Sequence, residues 1–341
     1  MILLEILESP SLVFAIVLIC GVIFVNGWTD APNAITASVS TGALKMRHAV
    51  ILAAIFNFLG ALVMGIINTS VLRSIGDITM MIGVGGNSIT VLCAALISII
   101  LWAVLAWLFG IPTSESHALI SGILGAAIAS GAEISSEAIT SLKLAALGLV
   151  VSLPLGCALG WAMGRITENI AFNSKSSNKD LTFQRGQRIG AALMAFMHGA
   201  QDSQKFAGVF IAALYMSKIN ISASDAPLWL VLLCATIISL GTSVGGYRII
   251  KKVGLDTVEL TRERGLAADA AAVSCMLIAS LSGIPLSTTH TATSAVVGAG
   301  LSGKYHKINL KSIKEMLAAW ILTFPCCGLI SFAVVKISLL F

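Results

Sequence analysis

Ten apolar runs, separated by short polar segments, dominate this chain. They lie at about residues 11–25, 48–67, 88–110, 117–130, 142–163, 189–216, 227–247, 267–283, 290–302 and 316–340. A helix needs roughly 20 apolar residues to cross a bilayer, and most of these runs approach that length. Only 11% of the residues are charged, against about 25% in soluble domains, so the chain has too few charges to cover a water-exposed surface. The sequence therefore predicts an all-α polytopic membrane protein.

The basic residues are distributed unevenly between alternate connecting segments. If each run crosses the membrane once, sixteen Lys and Arg residues lie on one side and four on the other. Basic residues concentrate in cytoplasmic loops, so this bias predicts a cell-membrane protein with both termini outside and the polar segment 164–188 in the cytoplasm. The richer side holds Lys45, Arg47, Arg165, Lys175, Lys179, Arg185, Arg188, Arg248, Lys251, Lys252, Arg262, Arg264, Lys304, Lys307, Lys311 and Lys314.

The two halves of the chain carry related motifs at a nearly constant spacing. GIPTSESH at 110–117 and GIPLSTTH at 283–290 share five residues at an offset of 173, and the tripeptide TSV at 69–71 recurs at 242–244. NGWTDAPNA at 26–34 and HGAQDSQKF at 198–206 share Gly and Asp at an offset of 172. Three matches in one order indicate a duplication, and five crossings per half would invert the second copy. We therefore expect two inverted-topology repeats, 1–163 and 189–341, joined by the cytoplasmic linker 164–188.

The first motif pair places a carboxylate within an apolar run of each half. Gly27 and Pro32 predict a helix break around Asp30, and Asp202 occupies the related position in the second half. An ionised carboxylate inside a membrane costs roughly 2.5–3.5 kcal/mol, which favours a functional role over a capping or loop role. Carboxylate, amide and freed backbone oxygens suit Na⁺, whereas a carboxylate alone could carry a proton. Lys205 either pairs with Asp202 or attracts an anion.

The second motif pair predicts two helix N-termini that face an anion. Pro suits the first helical position and Ser or Thr suits the cap, so free backbone N–H groups and the positive end of the helix dipole face each break. The alternatives are that each motif only caps a helix, and that His117 and His290 only bond a neighbouring carbonyl. Glu115, which replaces Thr288 of the second copy, could carry a proton, bind a cation or pair with a base. Segments 112–130 and 285–302 either span the membrane or re-enter it.

These motifs resemble those of the inorganic phosphate transporter (PiT) family over almost the whole chain. The family signature Gly-Ala-Asn-Asp-x-Ala-Asn-Ala is similar to residues 27–34 and 198–205, and the Pro-x-Ser-x-Thr-His type element is similar to residues 112–117 and 285–290. The resemblance implies an inverted-repeat helical fold, a homodimer and cation-coupled uptake of phosphate. It implies a cation near Asp30 and Asp202 and phosphate near the two Ser/Thr motifs. The chain departs from the family pattern at Thr29, Pro32, Glu115 and Gln201, which leaves the choice of cation open.

We therefore expect a secondary active symporter, not an enzyme, that imports inorganic phosphate with Na⁺ or H⁺ by alternating access. A sulfate or other oxyanion permease of the same fold is the first alternative; a passive channel and an intramembrane enzyme are the others. We expect no enzymatic cofactor and no nucleic-acid partner, and the partners are phosphate, a monovalent cation and the bilayer. The candidate phosphate ligands are Thr113, Ser114, Ser116, Gln201, Lys205, Ser287, Thr288 and Thr289. The candidate cation ligands are Asn26, Thr29, Asp30, Asn33 and Asp202, with sodium at Asp30 and Asp202, and the candidates for gating or proton transfer are Glu115, His117, His198 and His290.

Overall fold

The computed structural model describes residues 2–85, 87–174, 178–219, 221, 226–303 and 308–340. Lys175, Lys304 and Lys307 of the topology argument lie outside the described residues. The described part is helical, and an isolated bridge joins Val258 to Ile308. Six of its helices are long and apolar enough to cross a membrane, and a seventh span results if two helices bent by 68° at 228–254 count as one. The prediction of an all-α polytopic membrane protein is confirmed.

The helices are numbered in chain order. They are α1 Ile2–Leu7, α2 Pro10–Thr29, α3 Thr36–Ser40, α4 Met46–Ile67, α5 Ser70–Thr79, α6 Ser88–Leu108, α7 Glu115–Ser130, α8 Ser136–Asn173, α9 Lys179–Met216, α10 Leu228–Val244, α11 Tyr247–Ile250, α12 Arg262–Leu281, α13 Thr288–Leu301 and α14 Leu310–Ser338. Tighter 3₁₀ turns occupy Ala31–Ile35 and Met80–Ile82, and a π-helical turn occupies Lys251–Leu255.

The two motifs that carry Asp30 and Asp202 adopt different backbone conformations. α2 ends at Thr29, and a 3₁₀ turn that begins with Ala31-Pro32 follows the predicted break at Asp30. α9 continues without a break from Lys179 through Asp202 to Met216. Proline lacks the N–H that a continuing helix needs and its ring clashes with the preceding turn. The second motif contains no proline, so Asp202 projects from an intact helix.

Two short helices, α7 and α13, fold back on the helices before them. α7 ends at Ser130, which lines one cleft together with Ser88 at the start of α6. The end of α13 lies beside the start of α12, where the side chain of Arg264 contacts Gly303. α7 and α13 are 16 and 14 residues long, about 24 and 21 Å, which is shorter than a hydrocarbon core of about 30 Å. The geometry therefore favours the re-entrant alternative for these two segments.

The two hairpins, α6–α7 and α12–α13, enter the bundle from opposite ends. α7 leads through residues 131–135 into the start of α8, whereas α13 runs alongside α8 and brings Ser302 to Gly164 near its other end. The starts of α6, α7 and α8 recur at α12, α13 and α14 after 174, 173 and 174 residues. The order of helices thus follows the motif repeat, while the inverted membrane orientation of the halves stays a prediction.

Three glycines of α8 provide the close contact between α8 and α13. Their spacing in the sequence, at 156, 160 and 164, fits either packing within the monomer or a dimer seam. A Cβ atom added at Gly160 would lie 2.3 Å from the carbonyl oxygen of Ala295, and one at Gly156 would lie 2.2 Å from the hydroxyl of Ser294. Packing within one chain therefore accounts for these glycines, and the homodimer stays a prediction.

The polar segment 164–188 is largely helical. α8 extends to Asn173 and α9 begins at Lys179, so both long helices project into the predicted linker. Polar side chains on an exposed helical surface give the same composition as a loop, which is why composition alone did not locate these ends. Residues 175–177 lie outside the described residues, and the division into two repeats and a linker stays a prediction.

Candidate substrate and cation site

The N-termini of α7 and α13 meet at the centre of the bundle. Ser114 and Ser287 cap these helices, and each hydroxyl oxygen accepts a hydrogen bond of 3.2 Å from the backbone N–H three residues later. The two hydroxyl oxygens lie 2.8 Å apart, so the predicted helix starts face each other. Because the helices run toward opposite ends of α8, their positive dipole ends converge on one point. This arrangement favours an anion.

The two predicted carboxylates lie beside these helix starts. Asp30 and Asp202 are 2% and 1% exposed, and Thr288 of α13 lies between them. The Thr288 hydroxyl oxygen is 3.1 Å from Asp30 Oδ2 and 3.3 Å from Asp202 Oδ2. Thr289 donates to the other oxygen of Asp30 and also contacts the carbonyl of Thr113. The Thr288 hydroxyl therefore lies within hydrogen-bonding distance of one carboxylate from each half of the chain.

Two asparagines orient the carboxylates and leave their own oxygens without a donor. Asn33 Nδ2 donates to Asp30 Oδ1 at 2.7 Å, and Asn26 Nδ2 donates to Asp202 Oδ2 at 3.0 Å. The Oδ1 atoms of both asparagines are buried and have no hydrogen-bond partner within the described part of the chain. Buried polar atoms without partners are rare in folded proteins. Amide and carboxylate oxygens are the ligand types that a hard cation prefers.

His198 adds a nitrogen to this cluster. Its Nε2 atom lies 3.3 Å from Asp202 Oδ2, and one ligand atom each from Asp30, His198 and Asp202 lie within 4.8 Å of one another. His198 Nδ1 lies 3.0 Å from Oδ1 of Asn57 in α4, whose amide donates to Thr242 at 2.7 Å. The sequence analysis missed Asn57. An amide in the middle of an apolar run was the available signal, because such a group needs a polar partner.

Lys205 connects the carboxylates to both helix starts. Its Nζ atom lies 2.6 Å from Asp202 Oδ1, 2.7 Å from Ser116 Oγ and 2.8 Å from the carbonyl oxygen of Leu286. Of the two alternatives for Lys205, this conformation has the pairing with Asp202. Glu115 is also buried beside the site, where Thr29 contacts it, so the site holds three carboxyl groups and one lysine. Cations or protons must balance the remaining charge, since an uncompensated buried charge is costly.

The remaining candidates lie around this centre or point away from it. Thr29 donates to the carbonyl of Val25 at 2.8 Å and lies 3.3 Å from Glu115 Oε1, so its hydroxyl faces α7. Gln201 donates to Ser280 of α12 at 2.9 Å, with its Oε1 atom buried and unpartnered. The rings of His117 and His290 lie 4.6 Å apart, where they contact Phe324 and Trp320 of α14. The rings of these two histidines therefore pack against α14, next to the caps of α7 and α13.

Comparison with known proteins identifies the family. The family model described as "Phosphate transporter family" matches residues 26–331. The chain is 36% identical to a "probable low-affinity inorganic phosphate transporter" of Bacillus subtilis over 91% of this chain and 92% of that protein. A protein of the same description from Rhizobium meliloti is 34% identical over 95% and 96% of the two chains. A solved structure described as "The sodium-dependent phosphate transporter" shares the fold, with a TM-score of 0.78, 21% identity, and coverage of 98% of this chain and all of that one. The chain belongs to the phosphate transporter family, a family of membrane transporters and not of enzymes.

Proposed function

We propose that this integral membrane protein imports inorganic phosphate together with Na⁺. The position of Thr288 carries the proposal, because its hydroxyl lies within 3.3 Å of a carboxylate oxygen from each half of the chain. A cation bound at this point would have carboxylate ligands from both halves of the chain. It would also complete a site for an anion at the adjoining helix N-termini.

The donor set favours Na⁺ over H⁺ as the coupling ion. One Na⁺ ion can satisfy several oxygens at once, which suits the Asp30 and Asp202 carboxylates together with the unpartnered amide oxygens of Asn26 and Asn33. A proton would neutralise one carboxylate but leave the two amide oxygens without a partner. The fold is also that of a structure described as a sodium-dependent phosphate transporter. Na⁺ at Asp30 and Asp202 is therefore our assignment.

Phosphate is assigned to the point where α7 and α13 start. Ser114, Ser116, Ser287, Thr288 and Thr289 supply hydroxyl groups there, and Lys205 supplies the positive charge. Binding of Na⁺ beside Asp202 would weaken the electrostatic attraction between that carboxylate and Lys205. The lysine would then be free to donate to the anion. This exchange makes binding of cation and anion mutually dependent, which is the condition for symport.

The two hairpins support alternating access as the transport mechanism. Because α6–α7 and α12–α13 enter from opposite ends and meet at the site, movement of either tip would open the site toward one end only. Inverted repeats in secondary transporters place substrates at such a midplane junction. We retain the cytoplasmic position of 164–188, the external termini and the homodimer as part of this proposal.

The test is uptake of radiolabelled phosphate into proteoliposomes. An inward Na⁺ gradient should drive uptake several-fold above an equal K⁺ gradient, and an H⁺ gradient without Na⁺ should not replace it. Equal uptake under Na⁺ and K⁺ gradients contradicts Na⁺ coupling. Excess sulfate should not compete, and competition by sulfate would support the oxyanion alternative.

A paired set of variants links the transport to the site. Asp30→Asn/Asp202→Asn should abolish Na⁺-driven uptake. Asp77→Asn is the matched control, since Asp77 is a carboxylate outside the site that accepts a hydrogen bond of 3.0 Å from Ser141. Normal coupled uptake by the double variant would refute the assignment of the cation.

A further inference from the structure

A second buried acid, Asp269 of α12, lies outside the site described above. It is 5% exposed, and its Oδ2 atom is buried without a hydrogen-bond partner. Within the described residues it forms no salt bridge and no side-chain hydrogen bond, in contrast to Asp30 and Asp202. The proposed symport mechanism makes no use of it.

The backbone of α9 accommodates this carboxyl group. A Cβ atom at Gly190 would lie 2.9 Å from Asp269 Cβ and 3.0 Å from its Oδ2 atom, so a larger residue at position 190 would collide with the acid. The residues beside it on α12, Ala267 and Ala268, pack in an apolar cluster with Ala37. The missing side chain of Gly190 therefore leaves space for the carboxyl group, but no side chain among the described residues forms a hydrogen bond with it.

The other half of the chain shows that the fold does not require an acid at this place. The motif offset of 173, which relates Gly110 after α6 to Gly283 after α12, pairs Asp269 with Leu96 of α6. Leu96 is 1% exposed in the apolar core. Leucine fills this position in the first copy, so packing does not explain why the second copy has a carboxyl group there.

Asp269 lies between the central site and a charged cleft at the 164–188 end of the bundle. Ser280, which bonds Gln201 next to Asp202, is eleven residues further along α12, or about 16 Å. In the other direction Arg264 lies five residues away and pairs with Glu168 of α8. These two residues line a cleft of about 700 Å³ together with Arg165, Lys179, Asp180 and Glu263.

A proton fits the surroundings of this acid better than a metal cation. A hard cation takes several oxygen ligands at once, and no amide, hydroxyl or second carboxylate is bonded to Asp269 among the described residues. An ionised carboxylate without a partner is strongly disfavoured in an apolar interior. We propose that Asp269 is a proton-binding site separate from the cation site, which exchanges its proton with the charged cleft and makes transport sensitive to pH on that side.

On α12 the charged groups near Asp269 are Arg262, Glu263 and Arg264 of the first turn; Arg262 pairs with Asp180 of α9 and Arg264 with Glu168 of α8. Arg165 is a further charged residue on that stretch of α8 and lines the same cleft. On α9 the nearest is Arg188, which donates to the carbonyl of Ala43 at 3.0 Å. The only titratable side chain of α13 is His290 at its opposite end, and α3 has none.

Labelling with dicyclohexylcarbodiimide tests the protonation directly, because this reagent modifies protonated carboxyl groups in apolar surroundings. The experiment uses the purified wild-type protein, with peptide mapping by mass spectrometry over a series of pH values in Na⁺ and in K⁺. We expect modification of Asp269 to be equal in both salts, and to fall about tenfold per pH unit once the group ionises. No modification of Asp269 at any pH, or protection of it by Na⁺, would overturn the proposal. Because labelling does not require transport, this result is independent of the proposed symport.

The functional arm compares Asp269→Asn with wild type in sided proteoliposomes. Asparagine keeps the shape of the side chain but does not titrate. Uptake by the variant should therefore respond to pH on the cleft side only as far as the ionisation of phosphate itself changes. Asp269→Leu, which installs the residue of the first repeat, should show the same pH profile as Asp269→Asn. If both variants reproduce the wild-type pH profile, Asp269 is not the proton site.

Discussion

Replacement of Thr288 with valine removes one oxygen atom from the junction of the two halves. Valine has nearly the same shape, so the change isolates the hydroxyl that lies 3.1 Å from Asp30 and 3.3 Å from Asp202. A hydrogen bond to a charged group contributes about 1.5–3 kcal/mol. If the same oxygen is a Na⁺ ligand, its loss should weaken apparent Na⁺ affinity by about 10- to 150-fold.

The assay is the Na⁺ concentration that gives half-maximal phosphate uptake in proteoliposomes. Thr288→Ser should behave like wild type because it retains the hydroxyl. Thr293→Val is the matched control on the same helix, since the Thr293 hydroxyl is buried but has no partner. An unchanged Na⁺ requirement in Thr288→Val, with normal folding, would refute the reasoning.

Three further predictions concern charge, packing and caps. Lys205→Met should lower the stability by about 3–5 kcal/mol because it leaves the buried Asp202 carboxylate without its ion-pair partner. The double variant with Asp202→Asn should regain thermal stability but not uptake. A Lys205→Met protein as stable as wild type would contradict this. Gly160→Ala should lower the melting temperature measured by thermal-shift fluorescence, because its new Cβ would lie 2.3 Å from a backbone oxygen, whereas Gly85→Ala, with open space around it, should not. Ser287→Ala should lower stability by about 1 kcal/mol and raise the phosphate concentration for half-maximal uptake, and an unchanged phosphate requirement would count against the anion site.

Much of the site was predictable because its chemistry is unusual for a membrane. Charged and amide groups within apolar runs are rare, so Asp30, Asp202 and Lys205 could be selected from the sequence alone. The Pro and Ser pattern likewise predicted a helix start within each motif, although the prolines precede the helices and the serines cap them, so that α7 and α13 begin at Glu115 and Thr288. These features depend on local backbone chemistry, which a sequence records directly.

The features that were not predictable depend on where side chains point in three dimensions. Nothing local distinguishes Thr29, which faces Glu115, from Asn33, which faces Asp30. Gln201 and Asp202 are neighbours on α9, yet adjacent residues on a helix point in different directions, so Gln201 reaches Ser280 on α12. The partner of Asn57 was equally hidden, because it lies 141 residues away at His198.

Binding of radiolabelled Na⁺ to the purified protein tests the central assignment most directly. The account predicts saturable Na⁺ binding that phosphate strengthens, and its loss in Asp30→Asn and in Asp202→Asn separately, with Asp77→Asn binding like wild type. Undiminished Na⁺ binding in either single variant would contradict a cation site shared by the two halves of the chain.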